Sequence, residues 1–240
     1  MNMHKTKCLI IAAGEGSRLQ SESDLKPLTP VSGIPLIQRI ISNAMLAGIE
    51  EFFIATGYMH ETLDAFLYAL GTSLDVKITT IFNPDWVHGN ATSVFAAENH
   101  IKGNFVLLMA DHLVEPELIK KVIHNTTQKH PLCLAIDHDL NNKYVDNDDA
   151  TKVLAHNGYI EDIGKQLTQY NAYDTGVFHC DDRIFSTLSE TIALKQYGLS
   201  DCVKKLASTK LATTVSGNGA IWIDIDSPEM LQIAEQYINE

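Results

Sequence analysis

Apolar positions along the chain alternate between short β-rich runs and stripes at helical spacing. Lys7 to Ala13 (KCLIIAA) is almost continuously apolar and predicts a buried strand. After a glycine-rich loop, Leu36, Ile37, Ile40, Ile41, Ala44 and Met45 recur at helical intervals, which predicts a helix over Pro35 to Ala47 with Gly48 as its stop. Glu51 to Thr56 predicts the next strand. Leu63, Phe66, Leu67 and Leu70 share one face of a helix around His60 to Leu70, followed by a strand at Val76 to Phe82, a helix from Ala91 to His100 and a strand at Asn104 to Met109. This βαβα series implies a largely parallel sheet with helices on both faces.

The second half has another texture. Thr151 to Ala155 and Tyr159 to Ile163 are short strand patterns joined by Asn157-Gly158, a strong two-residue hairpin signal. Antiparallel strands are therefore expected there, with further strands at Ala172 to Cys180 and Ile221 to Ile225. The last helix opens at Ser227-Pro228-Glu229, Ser as cap and Pro in the first turn. The polar stretch from Asp137 to Asp149 predicts a loop. Neither a low-complexity linker nor an internal repeat is visible, so one domain with a mixed sheet is expected.

Size and charge narrow the function. At 240 residues and 26.6 kDa, one domain buries roughly 70 to 75% of its unfolded surface. The apolar runs fall far short of the roughly 20 residues a membrane helix needs, and no charged start feeds an apolar signal core. Lys plus Arg number 18 against 30 Asp plus Glu, a formal net charge of −12, which repels nucleic acid and anionic lipid. Cys8, Cys133, Cys180 and Cys202 form no CxxC pair; they read as reduced, structural thiols of a cytoplasmic protein.

The first strand runs into Ala12-Ala13-Gly14-Glu15-Gly16-Ser17-Arg18-Leu19. Its glycines let backbone N–H groups approach a phosphate chain. A dinucleotide fingerprint would need Gly where Leu19 stands, and a Walker loop would need Gly-Lys where Leu19-Gln20 stand. A Gly-x-Gly turn alone is equally a plain tight turn. Arg18 and Lys26-Pro27-Leu28 add two cations, and Pro27, Pro30 and Pro35 keep the segment non-helical. Together they form an electropositive anion pocket at the C-terminal end of a strand.

Ala-Ala-Gly-x-Gly-Ser-Arg-Leu, Lys-Pro-Leu and Gly33-x-Pro35-Leu36 resemble the signature of the nucleotidyltransferases that activate sugar and alcohol phosphates. The likeness continues through Thr56-Gly57-Tyr58, Asn83-Pro84-x-Trp86, Gly89-Asn90-x-x-Ser93, Met109-x-Asp111-His112 and Trp222-Ile223-Asp224-Ile225-Asp226-Ser227-Pro228-Glu229. Met-x-Asp-His, Asp149 to Val153, Ile163-Gly164-Lys165 and Tyr170 to Gly176 are most similar to the CTP:inositol-1-phosphate cytidylyltransferases. The resemblance implies a Rossmann-like three-layer α/β sandwich with a mixed, mainly parallel sheet, as one nucleotidyltransferase domain over residues 1–240. It implies transfer of CMP from CTP to an alcohol or polyol phosphate, with release of pyrophosphate. Such enzymes often precede a membrane-embedded CDP-alcohol transferase domain; because this chain stops at Glu240, that partner is expected to be a separate protein. The loop between Arg18 and Lys26 is shorter than the family pattern.

Asp111 directly follows an apolar strand, at the edge where open α/β sheets bind ligands; the plain alternative is a carboxylate capping the helix near Glu115. Asp224 sits among apolar neighbours, where a carboxylate is costly unless paired or coordinated. Brought together, the two suit Mg²⁺, with Asp226 on the same side as Asp224 and a further candidate ligand. By resemblance, Arg18 and Lys26 hold the α-phosphate and the departing pyrophosphate. Ala12, Ala13, Gly14, Gly16, Ser17, Gly89, Asn90 and Ser93 place the nucleotide, and Lys165, with Asp149, Asp174, Thr175 and Gly176, holds the acceptor. Of the ten histidines, only His112 stands out, in a hydrogen-bonding role beside Asp111. The rival readings are the same chemistry on a sugar 1-phosphate or on phosphocholine, and a catalytically silent nucleotide-binding subunit. Retention of Arg18, Lys26, Asp111 and Asp224 argues against the last. Oligomeric state is not legible.

Overall fold

The computed structural model describes residues 5–16, 19, 24–125 and 129–240. In chain order the first half contains β1 (Lys7–Ala12), a 3-10 turn at Lys26–Leu28, β2 (Pro30–Val31), β3 (Ile34–Pro35), α1 (Leu36–Leu46), β4 (Glu51–Thr56), α2 (His60–Leu74), β5 (Lys77–Phe82), α3 (Asn90–Phe95) and β6 (Phe105–Met109). Then follow β7 (His112–Val114), α4 (Pro116–His124), β8 (Leu132–Asp137), β9 (Lys152–His156), β10 (Tyr159–Gly164), β11 (Ala172–Cys180), α5 (Ile184–Ala193), α6 (Leu199–Ala207), β12 (Ala212–Ser216), β13 (Trp222–Asp224) and α7 (Pro228–Asn239).

Nine strands form one sheet in the order β5-β4-β1-β6-β11-β8-β12-β10-β9. The first four are parallel. β11 runs antiparallel to both β6 and β8, and the β9–β10 hairpin is antiparallel as expected. At its turn Asn157 and Gly158 take φ values of 50° and 79°, the left-handed pair that a two-residue connection with matching twist requires. Side chains alternate across the sheet: Cys8, Ile10, Phe52 and Ile54 face a layer built from α1, α2, α4 and α7. Leu9, Ile11, Phe53 and Ala55 face α3, α5 and α6. Strands buried on both faces read as continuous apolar runs, which is why β1 and β4 stand out in the sequence. All four cysteines are buried and free.

The strand expected over Ile221 to Ile225 is confined to Trp222–Asp224, and the helix expected over Ala91 to His100 is also shorter. α3 ends at Phe95, not His100, because beyond Ala96 the backbone bonds tighten to Ala97 N–H on Val94, Glu98 N–H on Phe95 and His100 N–H on Ala97. These 3-10-type bonds carry the chain to the buried Ile101.

The chain passes from β1 to β4 and β5 on one side and then to β6 on the other. The C-terminal ends of β1 and β6 therefore flank a topological switch point, where open α/β sheets leave a crevice. Phe52 is fully buried and Tyr68 is 81% exposed. Phe52→Ala is expected to cost about 3–5 kcal/mol in urea unfolding, and Tyr68→Ala under about 0.5 kcal/mol; equal midpoints would contradict this core.

Candidate active site

At the switch point β1 leads through Gly14 and Gly16 toward the 3-10 turn that carries Lys26. Gly16 has φ +64°, and a Cβ there would strike the Lys26 side chain, so glycine is needed for the lysine to lie across the loop. Lys26 Nζ donates to Asp111 Oδ2 at 2.8 Å and also to Asp226 Oδ1. Asp111 does not cap α4, whose N-cap residue is Glu115. Ile225 N–H donates to the Asp111 carbonyl at 2.9 Å, and β13 pairs with β7 so that Asp224 lies opposite His112.

His112 is fixed from two sides. Its Nδ1 bonds the Thr175 carbonyl at 2.9 Å, and its Nε2 lies 3.5 Å from Asp224 Oδ2 and 3.8 Å from Asp111 Oδ1. Gly176, at φ +74°, gives the imidazole room, since a Cβ would overlap the ring. Burial would lower the His112 pKa, but Asp224, Asp111 and the Thr175 carbonyl raise it to about 10. Burial likewise works against Asp111, yet Lys26 and His112 hold it at about 2. Burial opposes the Lys26 charge too, and Asp111, Asp226 and Asp224 overcome it, leaving the ammonium above its usual range. Asp226 is raised by burial and by Asp224, against the pull of Lys26.

The donor set fits a hard divalent cation. Carboxylate oxygens of Asp111 and Asp224 lie within 4.8 Å of each other, as do those of Asp149, Asp224 and Asp226. Asp224 Oδ1 is buried and has no hydrogen-bond partner, an acceptor that an ion would satisfy.

Two hollows meet here. The first, of about 330 Å³, is bounded by Ala12, Gly14, Gly16, Lys26, Pro27 and Ala110. The second, of about 200 Å³, is walled by Asn90, Asp149, Lys165, Asp174, Gly176 and Asp224, among others. Asp111 and Asp226 line both. Lys165 Nζ donates to Asp149 Oδ1 at 2.6 Å, and both residues line the second hollow.

Other expected site residues stand differently. Ser17 and Arg18 lie outside the described residues. Ala13 is buried, its carbonyl accepting from Tyr58 N–H at 2.9 Å. Asn90 lines the second hollow, its Oδ1 accepting from Leu199 N–H at 2.7 Å, while a Cβ at Gly89 would meet the Tyr197 carbonyl. Ser93 is buried, and its hydroxyl accepts from Asn83 Nδ2 at 3.2 Å. Thr175 is fully buried with its hydroxyl donating to the Ala135 carbonyl at 2.8 Å, so it meets the site through its backbone carbonyl. The sequence reading omitted α6, which lends Leu199, Ser200 and Val203 to the wall; its alternating apolar and charged residues were the available signal.

Residues 8–173 match the MobA-like NTP transferase domain. The chain is 29% identical over 231 residues to a bifunctional IPC transferase and DIPP synthase of Rubrobacter xylanophilus, covering 95% of this chain and 51% of that protein. It is 32% identical over 240 residues to the protein of that name from Aquifex aeolicus, covering 96% and 51%. The chain thus spans about half the length of these relatives. Among solved structures, the inositol-1-phosphate CTP transferase from T. maritima superposes with a TM-score of 0.87 at 24% identity, covering 98% of this chain and 97% of that one. A UDP-glucose pyrophosphorylase from Acinetobacter superposes at 0.79 and 17% identity, covering 97% and 93%. These likenesses establish the fold.

Asp174 sets a pH dependence. Burial lifts its carboxyl to about 6, with Asp224 adding to the rise and the Gly176 N–H and His112 opposing it. A carboxyl raised in the fold binds its proton more tightly folded than unfolded, so stability falls as pH climbs from the ordinary 3.8 to about 6 and stays reduced above. Asp174→Asn is expected to melt higher than the wild type at pH 8, with the gap closing toward pH 4; a gap independent of pH would contradict the assignment.

Proposed function

The chain belongs to the family of MobA-like NTP transferase domains, and we propose that it is a cytidylyltransferase that moves CMP from CTP to a polyol phosphate, most simply inositol 1-phosphate. The observation that carries this reading is the pair of hollows joined at Asp111 and Asp226. One hollow has glycine backbone and a lysine, suited to a triphosphate. The other has a lysine and several carboxylates, suited to a phosphate bearing hydroxyls.

In the reaction an oxygen of the acceptor phosphate attacks the α-phosphorus of CTP. The bond from that phosphorus to the oxygen bridging to the β-phosphate breaks, and pyrophosphate leaves with the electron pair. No general base is required, since a phosphate monoester with its second pKa near 6 is mostly a dianion at pH 7. The protein's task is charge neutralisation and in-line alignment. Lys26, already directed between Asp111 and Asp226, meets the phosphates as charge moves toward the leaving group. Arg18 is assigned the pyrophosphate side by the signature. Asp111 and Asp224 would hold Mg²⁺, with Asp226 at their edge; bound there, the ion supplies Lewis-acid neutralisation of the phosphoryl oxygens. Lys165, steadied by Asp149, receives the acceptor phosphate.

A polyol is favoured over choline by the lining of the second hollow. A quaternary ammonium calls for an aromatic cage. Tyr173 is buried with its hydroxyl donating to Asn147, and Tyr170 packs against Tyr173 with Lys152 over its ring. Neither tyrosine lines the hollow, whereas Asp149, Asp174 and Asp224 do.

Pyrophosphate release across a matrix of nucleoside triphosphates and acceptors tests the reading. CTP with inositol 1-phosphate is expected to exceed CTP with phosphocholine or glucose 1-phosphate by roughly 10- to 100-fold; a better rate with either rival overturns the polyol assignment, and silence with every pair overturns the transferase. Lys165→Ala is expected to raise KM for the acceptor far more than KM for CTP. Asp111→Asn and Asp224→Asn are each expected to fold and to lose at least about 100-fold in kcat, so near-normal turnover in both would refute their role.

A further inference from the structure

Asp137 is the last residue of β8 and is 7% exposed. One of its oxygens, Oδ2, accepts from two donors that are distant from each other in sequence: Trp222 Nε1 at 3.0 Å and Asn142 Nδ2 at 2.7 Å. Its Oδ1 accepts from Asp139 N–H at 2.9 Å. Trp222 lies two residues before Asp224 in β13, is 2% exposed, and stacks on His112 with ring centroids 5.9 Å apart. Asn142 belongs to the 138–149 loop, whose Val145, Asp146 and Asp149 form part of the wall of the second hollow, as Trp222 does. The loop is pinned again at Asn147, whose Oδ1 accepts from the Tyr173 hydroxyl at 2.7 Å, and Tyr173 is the register partner of Asp137 across β8 and β11.

We infer that Asp137 is a positioning residue that fixes the distance between the acceptor wall and the carboxylates of the metal cluster, and so selects the acceptor. It is absent from the lining of either hollow, so it acts through what it holds. A buried carboxylate that served only to fold the loop would need loop donors alone. Here a single oxygen takes one donor from the loop that lends Val145, Asp146 and Asp149 to the wall and one from Trp222, which lines the hollow itself and lies two residues before Asp224, and a shift of either is passed to the other. In-line transfer is sensitive to such shifts, since misplacement by about 1 Å costs on the order of 100-fold.

The inference rests on the cytidylyltransferase reading and is tested by a double-mutant cycle. Trp222→Phe removes the indole donor and keeps an aromatic ring; Asn142→Ala removes the loop donor. Among the described residues Trp222 and Asn142 are linked through Asp137 Oδ2, and independent local effects would add. Each single variant is expected to lower kcat/KM for inositol 1-phosphate by about 10- to 100-fold, with KM for CTP within about twofold. The double variant is expected to be no worse than the worse single one, because breaking either end severs the same link. Additive losses, or equal losses for acceptor and CTP, overturn the inference. Trp86 and Trp222 are the chain's two tryptophans, so in a Trp86→Phe background the emission of Trp222 reports the link without substrate. Asn142→Ala is expected to shift that emission, and an unchanged spectrum overturns the link. A wild-type protein inactive with every acceptor defeats the proposed function instead, and the emission result still decides whether the link exists.

Discussion

Three carboxylates, Asp111, Asp224 and Asp226, are drawn into one enclosed place, and that arrangement stands only if positive charge is brought with them. Like charges in a poorly solvated site cannot all ionise unaided. Lys26 comes from 85 residues before Asp111 and 200 before Asp226 to bridge the two, and His112 faces Asp224 and Asp111 from the other side. The loop after β1, the turn from β6 into β7 and the end of β13 are thereby tied together. The sheet order makes the meeting possible, because crossing over at β1 and β6 opens the crevice into which these segments fall.

The same requirement shapes the acceptor side more loosely. Lys165 and Asp149 form a close pair, but the lysine side chain is 49% exposed, so water screens it and the pair is worth little to stability. It serves instead to keep a flexible ammonium in one place. On the proposed function, an incoming dianion would share Lys165 with Asp149, whose charge repels it, which would moderate the affinity for the phosphate group and leave discrimination to the hydroxyls and to the shape of the wall.

Much of this was legible along the chain, and what escaped did so for a physical reason. Glu51–Thr56 was readable to the residue because a strand buried on both faces is nearly continuously apolar, and Ala172–Cys180 was bounded correctly although Asp174, Thr175 and His179 interrupt its apolar run. The Asn157-Gly158 hairpin was readable because a two-residue turn is a local matter. β8 and β12 went unread, since they pair with partners 80 residues apart, Ala212 against Leu132, and nothing local announces a distant register. The helix expected through His100 was overextended because apolar spacing alone does not show where α-helical bonds give way to tighter ones. Residue type and place in the strand pattern singled out Lys26, Asp111, Asp224 and Asp226, and the fold brings them into contact. Which way a hydroxyl turns is decided by packing: Ser93 and Thr175 sit near the site yet spend their side chains on Asn83 and on the Ala135 carbonyl. Asp137 had no local mark at all, being an acidic residue at the head of a polar loop.

The four buried thiols acquire a use from where they lie. Burial raises every one of them, Cys202 to about 12 and Cys8, Cys133 and Cys180 also above the usual range, so in the folded chain the thiolate that alkylating and oxidising reagents attack is scarce. Cys8 is packed in the layer of α1 and α2, and Cys180 and Cys202 in the layer of α5 and α6. Each becomes reactive only when its own layer opens. The chain therefore carries a clock on either face of its sheet, and the order in which the sulfurs are modified reads out which layer breathes first.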